Sequence, residues 1–276
     1  MTTAIPTITL NNGVEMPQVG FGVFQVPNEE TTAAVAAALK AGYRSIDTAA
    51  IYGNEEGVGK ALAQSGIARE ELFITSKIWI ADMGYEQTLE AFEASLQRLG
   101  LDYLDLFLIH WPAPEKDLYV ETWKALEKLY ADKKIRAIGV SNFQPEHLDK
   151  LTAGGSIVPA VNQVELHPAL QNREVIAANT GHGIVTEAWS PLAQGAMLTD
   201  ETIEAIANVH EVTAAQVILR WHLQQGRVII PKSVTESRII ANLDLFGFEL
   251  TSDELANIDA LDRDGRTGPN PDTFNG

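Results

Sequence analysis

Short apolar runs rich in β-branched and aromatic residues alternate along the chain with longer segments whose apolar positions recur at helical spacing. Successive βα units produce this pattern. Eight runs read as strands: Val19–Phe24, Tyr43–Asp47, Leu72–Lys77, Leu104–His110, Ile135–Asn142, Ala160–Glu165, Ile184–Trp189 and Val228–Lys232. Helical segments between them include Glu30–Ala41, Tyr85–Leu99, Val120–Asp132 and Ala214–Gln225. Most strand candidates begin apolar and finish on a polar or aromatic residue: Asp47, Lys77, His110, Asn142, Glu165, Trp189 and Lys232. A doubly wound sheet would also alternate in this way. Eight units within 276 residues favour closure into an α/β, (β/α)8 TIM barrel, which would gather those strand ends on its C-terminal face. Ahead of the first unit, Asn11-Asn12-Gly13 lies between two apolar stretches of Pro6–Pro17 and predicts a β-hairpin that caps the barrel bottom. Neither a linker nor a break in composition divides residues 1–276, so we expect one domain.

Composition narrows the function classes. The chain has no cysteine, so it has no disulfide framework, thiolate metal site or cysteine nucleophile. A formal charge of −17 argues against nucleic acid or an anionic membrane surface as the main partner. Met1–Asn11 lacks a signal-peptide pattern, and no apolar run approaches the length of a membrane span. The expectation is a cytoplasmic protein, monomeric because no long apolar edge or heptad is present, with a small molecule as its partner.

Four side chains could share one pocket at the strand ends: Asp47 and Tyr52 after the second strand, Lys77 on the third and His110 on the fourth. Neighbouring parallel strands lie about 5 Å apart. A tyrosine is a weak acid near neutrality, and an adjacent ammonium would lower its pKa. Asp47 could hold the lysine charge in place, while His110 orients a carbonyl oxygen toward the tyrosine hydroxyl. Such a cluster makes a proton donor aimed at a developing alkoxide. Each residue taken singly is more often a packing or surface residue; only their joint placement points to chemistry.

No G-x-G-x-x-G is present, because Gln25 stands where the third glycine should follow Gly20 and Gly22. Gly53–Lys60 also fails as a phosphate loop, with Asn54 and Ala61 at positions that need glycine and Ser/Thr. Pro231-Lys232-Ser233-Val234 and Arg238 supply local cations and a hydroxyl on an acidic protein, which suits a phosphate or an ordinary solvated helix start equally. Glu165-Leu166-His167-Pro168 lacks further metal ligands and reads as structural, so no metal is expected. Trp123 and Trp221 fall in helical segments and read as packing residues. Glu165 and Glu187, paired carboxylates on strand ends, leave a barrel glycosidase as an alternative, although it gives the Tyr52–Lys77–His110 cluster no role.

Asp47-Thr48-Ala49, Tyr52-Gly53-Asn54-Glu55, Lys77, His110-Trp111-Pro112, Gly139-Val140-Ser141-Asn142-Phe143 and Pro231-Lys232-Ser233 together resemble the aldo-keto reductase superfamily. The resemblance runs from Pro6 to about Asp262, and in its short loops the chain is most similar to bacterial 2,5-diketo-D-gluconate reductases. It implies an NADPH-dependent reductase of small aldehydes or ketones, with keto-sugars and methylglyoxal among the candidates. The catalytic tetrad would be Asp47, Tyr52, Lys77 and His110, with Tyr52 as proton donor. An extended NADPH would lie across the strand ends: Ser141, Asn142 and Gln163 on the carboxamide, and Trp189 stacked on the nicotinamide. Ser190, Pro191, Leu192, Gln194 and Gly195 would wrap the pyrophosphate. Lys232, Ser233 and Arg238 would meet the 2′-phosphate and Asn242 the adenine. Family members often carry an acidic or amide residue where Ala241 stands, which implies one adenine or ribose contact fewer. Phe24, Trp79 and Trp111, with His110, would line the substrate pocket, left open by short loops and a short tail, Arg263–Gly276. A non-catalytic, regulatory NADPH-binding barrel is the other reading the resemblance allows.

Overall fold

The computed structural model describes residues 5–276, so the first four residues of the segment searched for a signal peptide lie outside it. The hairpin forms from β1 (Thr7–Thr9) and β2 (Glu15–Pro17), antiparallel with Ile8 opposite Met16. Its turn closes through Gly13, whose φ of 83° is one that a glycine adopts without a Cβ clash. The eight strands that follow are β3 (Phe21–Gly22), β4 (Ser45–Asp47), β5 (Phe73–Ile78), β6 (Leu104–Ile109), β7 (Ile135–Ser141), β8 (Val161–Glu165), β9 (Val185–Trp189) and β10 (Val228–Ile229). Each pairs in parallel with its sequence neighbour. The ring closes where Gly20 N donates to Ile229 O at 2.8 Å and Ile229 N donates to Gln18 O at 3.1 Å. A parallel bridge between Val19 and Ile229 completes the (β/α)8 barrel.

Helices α1 (Asn28–Ala41), α2 (Glu55–Gln64), α3 (Tyr85–Leu99), α4 (Tyr119–Ala131), α5 (Pro145–Gly154), α6 (Arg173–His182), α7 (Glu201–His210), α8 (Ala214–Gln224), α9 (Glu236–Ala241) and α10 (Ser252–Asp259) complete the chain. All eight expected strands are present, but the first and last are much shorter than the runs that announced them. Val19–Phe24 contributes only β3 and Val228–Lys232 only β10; Pro231, which has no N–H, cannot donate to the first strand, and only Gly22 N to Pro231 O, at 3.3 Å, bonds them there. Tyr43 leaves its strand to pack edge-on against Phe21, at 5.6 Å between ring centres.

Apolar side chains separate into two layers. One fills the space between barrel and helices, with Trp123, Trp221, Phe92 and Phe107 buried in it. The other plugs the lower barrel interior, where Leu10 and Met16 of the hairpin meet Phe73, Leu106, Leu108, Val161 and Val228. Asn11 and Asn12 fasten the hairpin by donating to Pro159 O and Arg136 O, both at 2.9 Å. The bottom is therefore closed by packing, and the polar strand ends lie together at the opposite face. No helix among the described residues is long and apolar enough to cross a membrane.

Candidate active site

Tyr52 owes its position to the turn that follows β4. Ala50–Tyr52 form a single 3-10 turn ended by Gly53 at φ 66°, after which α2 begins. Asn54 ties this turn down from below, donating to Val23 O at 2.9 Å and Val26 O at 3.0 Å and accepting from Thr48 Oγ1 at 2.8 Å. Glu55, also buried, accepts from Ser76 Oγ at 2.6 Å on β5 and pairs with Arg98. The residues flanking Tyr52 in the motif thus serve mainly as its scaffold.

Lys77 is fully buried. Its ammonium donates to Asp47 Oδ1 at 2.5 Å and to Thr48 O at 3.0 Å, and it lies 5.2 Å from the centre of the Tyr52 ring. The Tyr52 and His110 rings meet edge-on at 5.6 Å. All four expected side chains are therefore brought together. Burial favours the neutral form of Tyr52 and outweighs the pull of the Lys77 charge, so the phenol lies above its ordinary value. The sequence expectation of a lowered phenol pKa is corrected here: Asp47 and Glu187 offset part of the lysine's effect, and desolvation does the rest. For Lys77, desolvation pulls downward, but Asp47, Tyr52 and Glu187 together hold the ammonium above its usual range. His110 is pushed well below the ordinary imidazole range by burial and then by Lys77. At neutral pH the site holds a protonated tyrosine, a charged lysine and a neutral histidine. Nδ1 of His110 is buried without a partner, so hydrogen bonding to a ligand falls to Nε2.

Beneath this cluster lies a second carboxyl group. Gln163 Nε2 donates to Asp47 Oδ2 and to Glu187 Oε2, each at 2.8 Å. Both amide protons are therefore engaged, and only Oε1 can face outward, as an acceptor. Burial, with repulsion from Asp47, raises Glu187 to about 8; the Gln163 bond and Lys77 only partly compensate. Glu187 is thus protonated in the folded protein at neutral pH. Between the usual carboxylate range and pH 8 the folded state holds a proton that the unfolded chain has lost, so stability falls as pH rises through that window. Thermal melting from pH 5 to 9 should show this decline in the wild type and a shallower one in Glu187→Gln. Parallel declines would mean that Glu187 titrates normally.

The expected carboxamide group is also assembled. Ser141 Oγ donates to Gln163 O at 2.8 Å, and Asn142, at φ 65°, donates to His110 O at 2.9 Å and Ser141 Oγ at 3.1 Å. Asn142 Oδ1 accepts from Trp189 Nε1 at 2.8 Å, which fixes the half-buried indole. Ser190, Ala193, Gln194 and Gly195 all adopt positive φ (46°, 50°, 53° and 96°), so the loop after β9 is sharply bent. Nε2 of His222, buried, stands 3.4 Å from Pro191 O within that loop. Lys232 and Arg238 are exposed and enter no ion pair among the described residues, while Ser233 and Asn242 are buried beside them. Two unpaired cations, a fixed aromatic ring and an acceptor-only amide oxygen match the phosphate, ring and carboxamide of a nicotinamide dinucleotide.

Phe24 packs on Tyr52 at 5.0 Å and Trp79 on His110 at 5.3 Å. Trp111 meets Phe274 at 4.6 Å, and Trp79 meets the same ring at 6.2 Å. Sequence reasoning missed Phe274. Its only local signal is an aromatic residue in a polar tail, and the tail, although short, crosses the pocket that was expected to stay open. Glu165 and Glu187 do not form a hydrolytic pair: Glu165 is buried under bonds from the tail backbone, and Glu187 belongs to the Gln163 bridge.

A barrel whose C-terminal face presents tyrosine, lysine, aspartate and histidine together, beside a fixed indole and two exposed cations, has the equipment for carbonyl reduction. The Aldo/keto reductase family model matches residues 18–263. The chain is 60% identical over 272 residues to a glyoxal reductase of Bacillus subtilis, covering 98% of each protein. It is 49% identical over 280 residues to a morphine 6-dehydrogenase of Pseudomonas putida, covering 96% of this chain and 94% of the other. Among solved structures, a mutant of Gox0644 in complex with NADPH superposes with a TM-score of 0.95 at 47% identity over 99% of both chains. The chain belongs to the aldo/keto reductase family. This membership, with the bonds that occupy Glu165 and Glu187, overturns the glycosidase alternative.

Proposed function

We propose that the protein reduces small aldehydes and ketones to alcohols with NADPH, using Tyr52 as the proton donor. The observation that carries this reading is the Tyr52 ring set 5.2 Å from the buried Lys77 ammonium and edge-on to the His110 ring at 5.6 Å. When bound, NADPH supplies a hydride to the carbonyl carbon. His110 Nε2–H orients the carbonyl oxygen beside the Tyr52 hydroxyl. Tyr52 releases its proton to that oxygen as charge develops, and Lys77 stabilises the phenolate left behind. Asp47 and Thr48 O keep the ammonium fixed in its buried position.

Ser141 Oγ and Gln163 Oε1, as acceptors, with Asn142 beside them, would hold the carboxamide. Trp189 would stack on the ring, and the bent segment Ser190–Gly195 would cradle the pyrophosphate. Lys232, Ser233 and Arg238 would read the 2′-phosphate, with Asn242 near the adenine. The NADPH complex of Gox0644 and the NADP complex of a Bombyx mori aldo-keto reductase at 35% identity support the choice of cofactor. The aromatic wall of Phe24, Trp79, Trp111 and Phe274 suits compact carbonyls, and the glyoxal reductase relative favours dicarbonyls such as glyoxal and methylglyoxal over keto-sugars. The single barrel is taken to act as a cytoplasmic monomer.

Quenching of tryptophan fluorescence on titration with NADPH, with NADH in parallel, tests the cofactor reading; binding of neither would end it. Turnover of glyoxal would then separate the enzyme from a non-catalytic NADPH-binding barrel. Arg238→Ala should weaken NADPH roughly tenfold and NADH little, because one charge-assisted phosphate contact is lost. Equal weakening of both would show that Arg238 does not read the phosphate.

A further inference from the structure

Glu165 ends β8, two residues beyond Gln163, and the reduction chemistry gives it no task. Its side chain is fully enclosed, yet it accepts hydrogen bonds from a segment about a hundred positions later in the chain. Oε1 receives Thr267 N at 2.6 Å and Thr267 Oγ1 at 2.5 Å, and Oε2 receives Gly268 N at 3.0 Å. His167 Nε2 lies 3.0 Å from Oε1, and Arg266 stands 4.0 Å from Oε2. Burial alone would raise this carboxyl, but the bonds from His167, Thr267 and Gly268 outweigh it and hold Glu165 below its ordinary range. It is therefore an anion at neutral pH, and bonds to a buried anion are stronger than bonds between neutral groups.

What this carboxylate holds is the rim of both halves of the site. A Cβ on Gly268 would lie 2.5 Å from the Trp189 ring, so the tail backbone rests directly against the outer edge of that indole, whose inner edge is bonded to Asn142. Thr267 Oγ1 also stands 3.4 Å from Gln194 Nε2 in the bent loop after β9. Further along, Phe274 packs on Trp111 and Trp79, and Asn275 Oδ1 accepts from Glu115 N at 3.0 Å. Upstream, Arg263 N and Gly265 N donate to Ala169 O, at 3.1 and 2.8 Å.

We propose that Glu165 is a positioning residue for the reaction: its carboxylate clamps the backbone at Thr267 and Gly268, and through that clamp it fixes Trp189 and sets the width of the substrate pocket at Phe274. The assignment rests on the reductase reading for its kinetic consequences but not for its structural one. The scaffold has a division of labour in which one face of β8 serves cofactor (Gln163) and tail (Glu165) from adjacent inward positions. Substrate selection by the tail then depends on a charge that itself contacts neither substrate nor cofactor.

Trypsin provides a test that needs no turnover. The bond between Arg266 and Thr267 is a cleavage site whose N–H is held by Glu165. In Glu165→Gln, where an amide group must replace one acceptor oxygen, cleavage after Arg266 followed by intact mass should accelerate by roughly tenfold or more. NADPH affinity should weaken several-fold as Trp189 loosens. Selectivity, taken as the kcat/KM for glyoxal over that for 4-nitrobenzaldehyde, should shrink several-fold, through a higher KM for glyoxal. Gly268→Ala keeps both donor N–H groups of the clamp but drives a methyl against Trp189, at 2.5 Å, with Glu165 Oε2 3.2 Å away. It should weaken NADPH several-fold without a comparable gain in cleavage, and this holds even if Glu165→Gln folds poorly. Unchanged cleavage after Arg266 in a folded Glu165→Gln protein would overturn the clamp. Faster cleavage with unaltered NADPH affinity and selectivity would overturn its link to the site. A wild type that binds NADPH but reduces no carbonyl would instead remove the reductase reading and leave the cleavage result standing.

Discussion

Tyr52→Phe is expected to lower kcat for carbonyl reduction by roughly 10²–10⁴-fold, the range that a positioned proton donor contributes, while NADPH binds with nearly unchanged affinity. Only the hydroxyl is removed. The ring that packs on Phe24 and His110 remains, so the pocket keeps its wall. The separation of the two readouts is the essential part of the test. Near-normal turnover would transfer the proton-donor role to another group, with His110 first in line. A large loss of NADPH affinity would mean that the substitution disturbed the groove instead of the chemistry.

Lys77→Met should have a larger effect on the folded state than any surface change. Removal of the ammonium leaves Asp47 buried beside Glu187 with no compensating charge, at a cost of about 3–5 kcal/mol of stability. The denaturation midpoint in urea measures this directly. The double variant Lys77→Met, Asp47→Asn should recover much of the stability, because the orphaned charge is gone, yet regain little activity, because Tyr52 still lacks its ammonium. If the double variant were no more stable than the single one, the loss would reflect packing of the lysine stem and not electrostatics.

The sequence made the architecture legible because the barrel repeats. Eight apolar runs, each ended by a polar or aromatic residue, located every strand, and Tyr85–Leu99 matched α3 at both ends. The shortfall came where the ring closes: Val19–Phe24 and Val228–Lys232 read as full strands, but the ladder there depends on a partner at the other end of the chain. The four-residue cluster was legible for the same reason, as Asp47, Lys77 and His110 sit at the ends of adjacent strands and Tyr52 in the turn after one of them. Three features were not. Phe274 joins the pocket through a fold of the tail that no local spacing encodes. The Gln163 bridge between Asp47 and Glu187 spans three strands at a common level, and strand registers cannot be read from one chain. The direction of the Tyr52 shift depended on how deeply the hydroxyl is desolvated, a property of packing and not of composition. Glu165-Leu166-His167 was read as structural, which its bonds to the tail agree with, although what it supports was hidden by sequence distance.

The closure of the barrel also constrains how the protein comes into being. Gly20 is bonded to Ile229, so the first strand of the ring has no final partner until the last has left the ribosome. The lower plug behaves alike, since Leu10 and Met16 of the opening hairpin need Val228 as well as Phe73. Contacts this distant in sequence slow folding. Any part of the sheet that forms before the last strand is made has an open edge, and such edges invite pairing with other chains. In the finished ring, among the described residues, the first and last strands are each other's partners and that edge is gone.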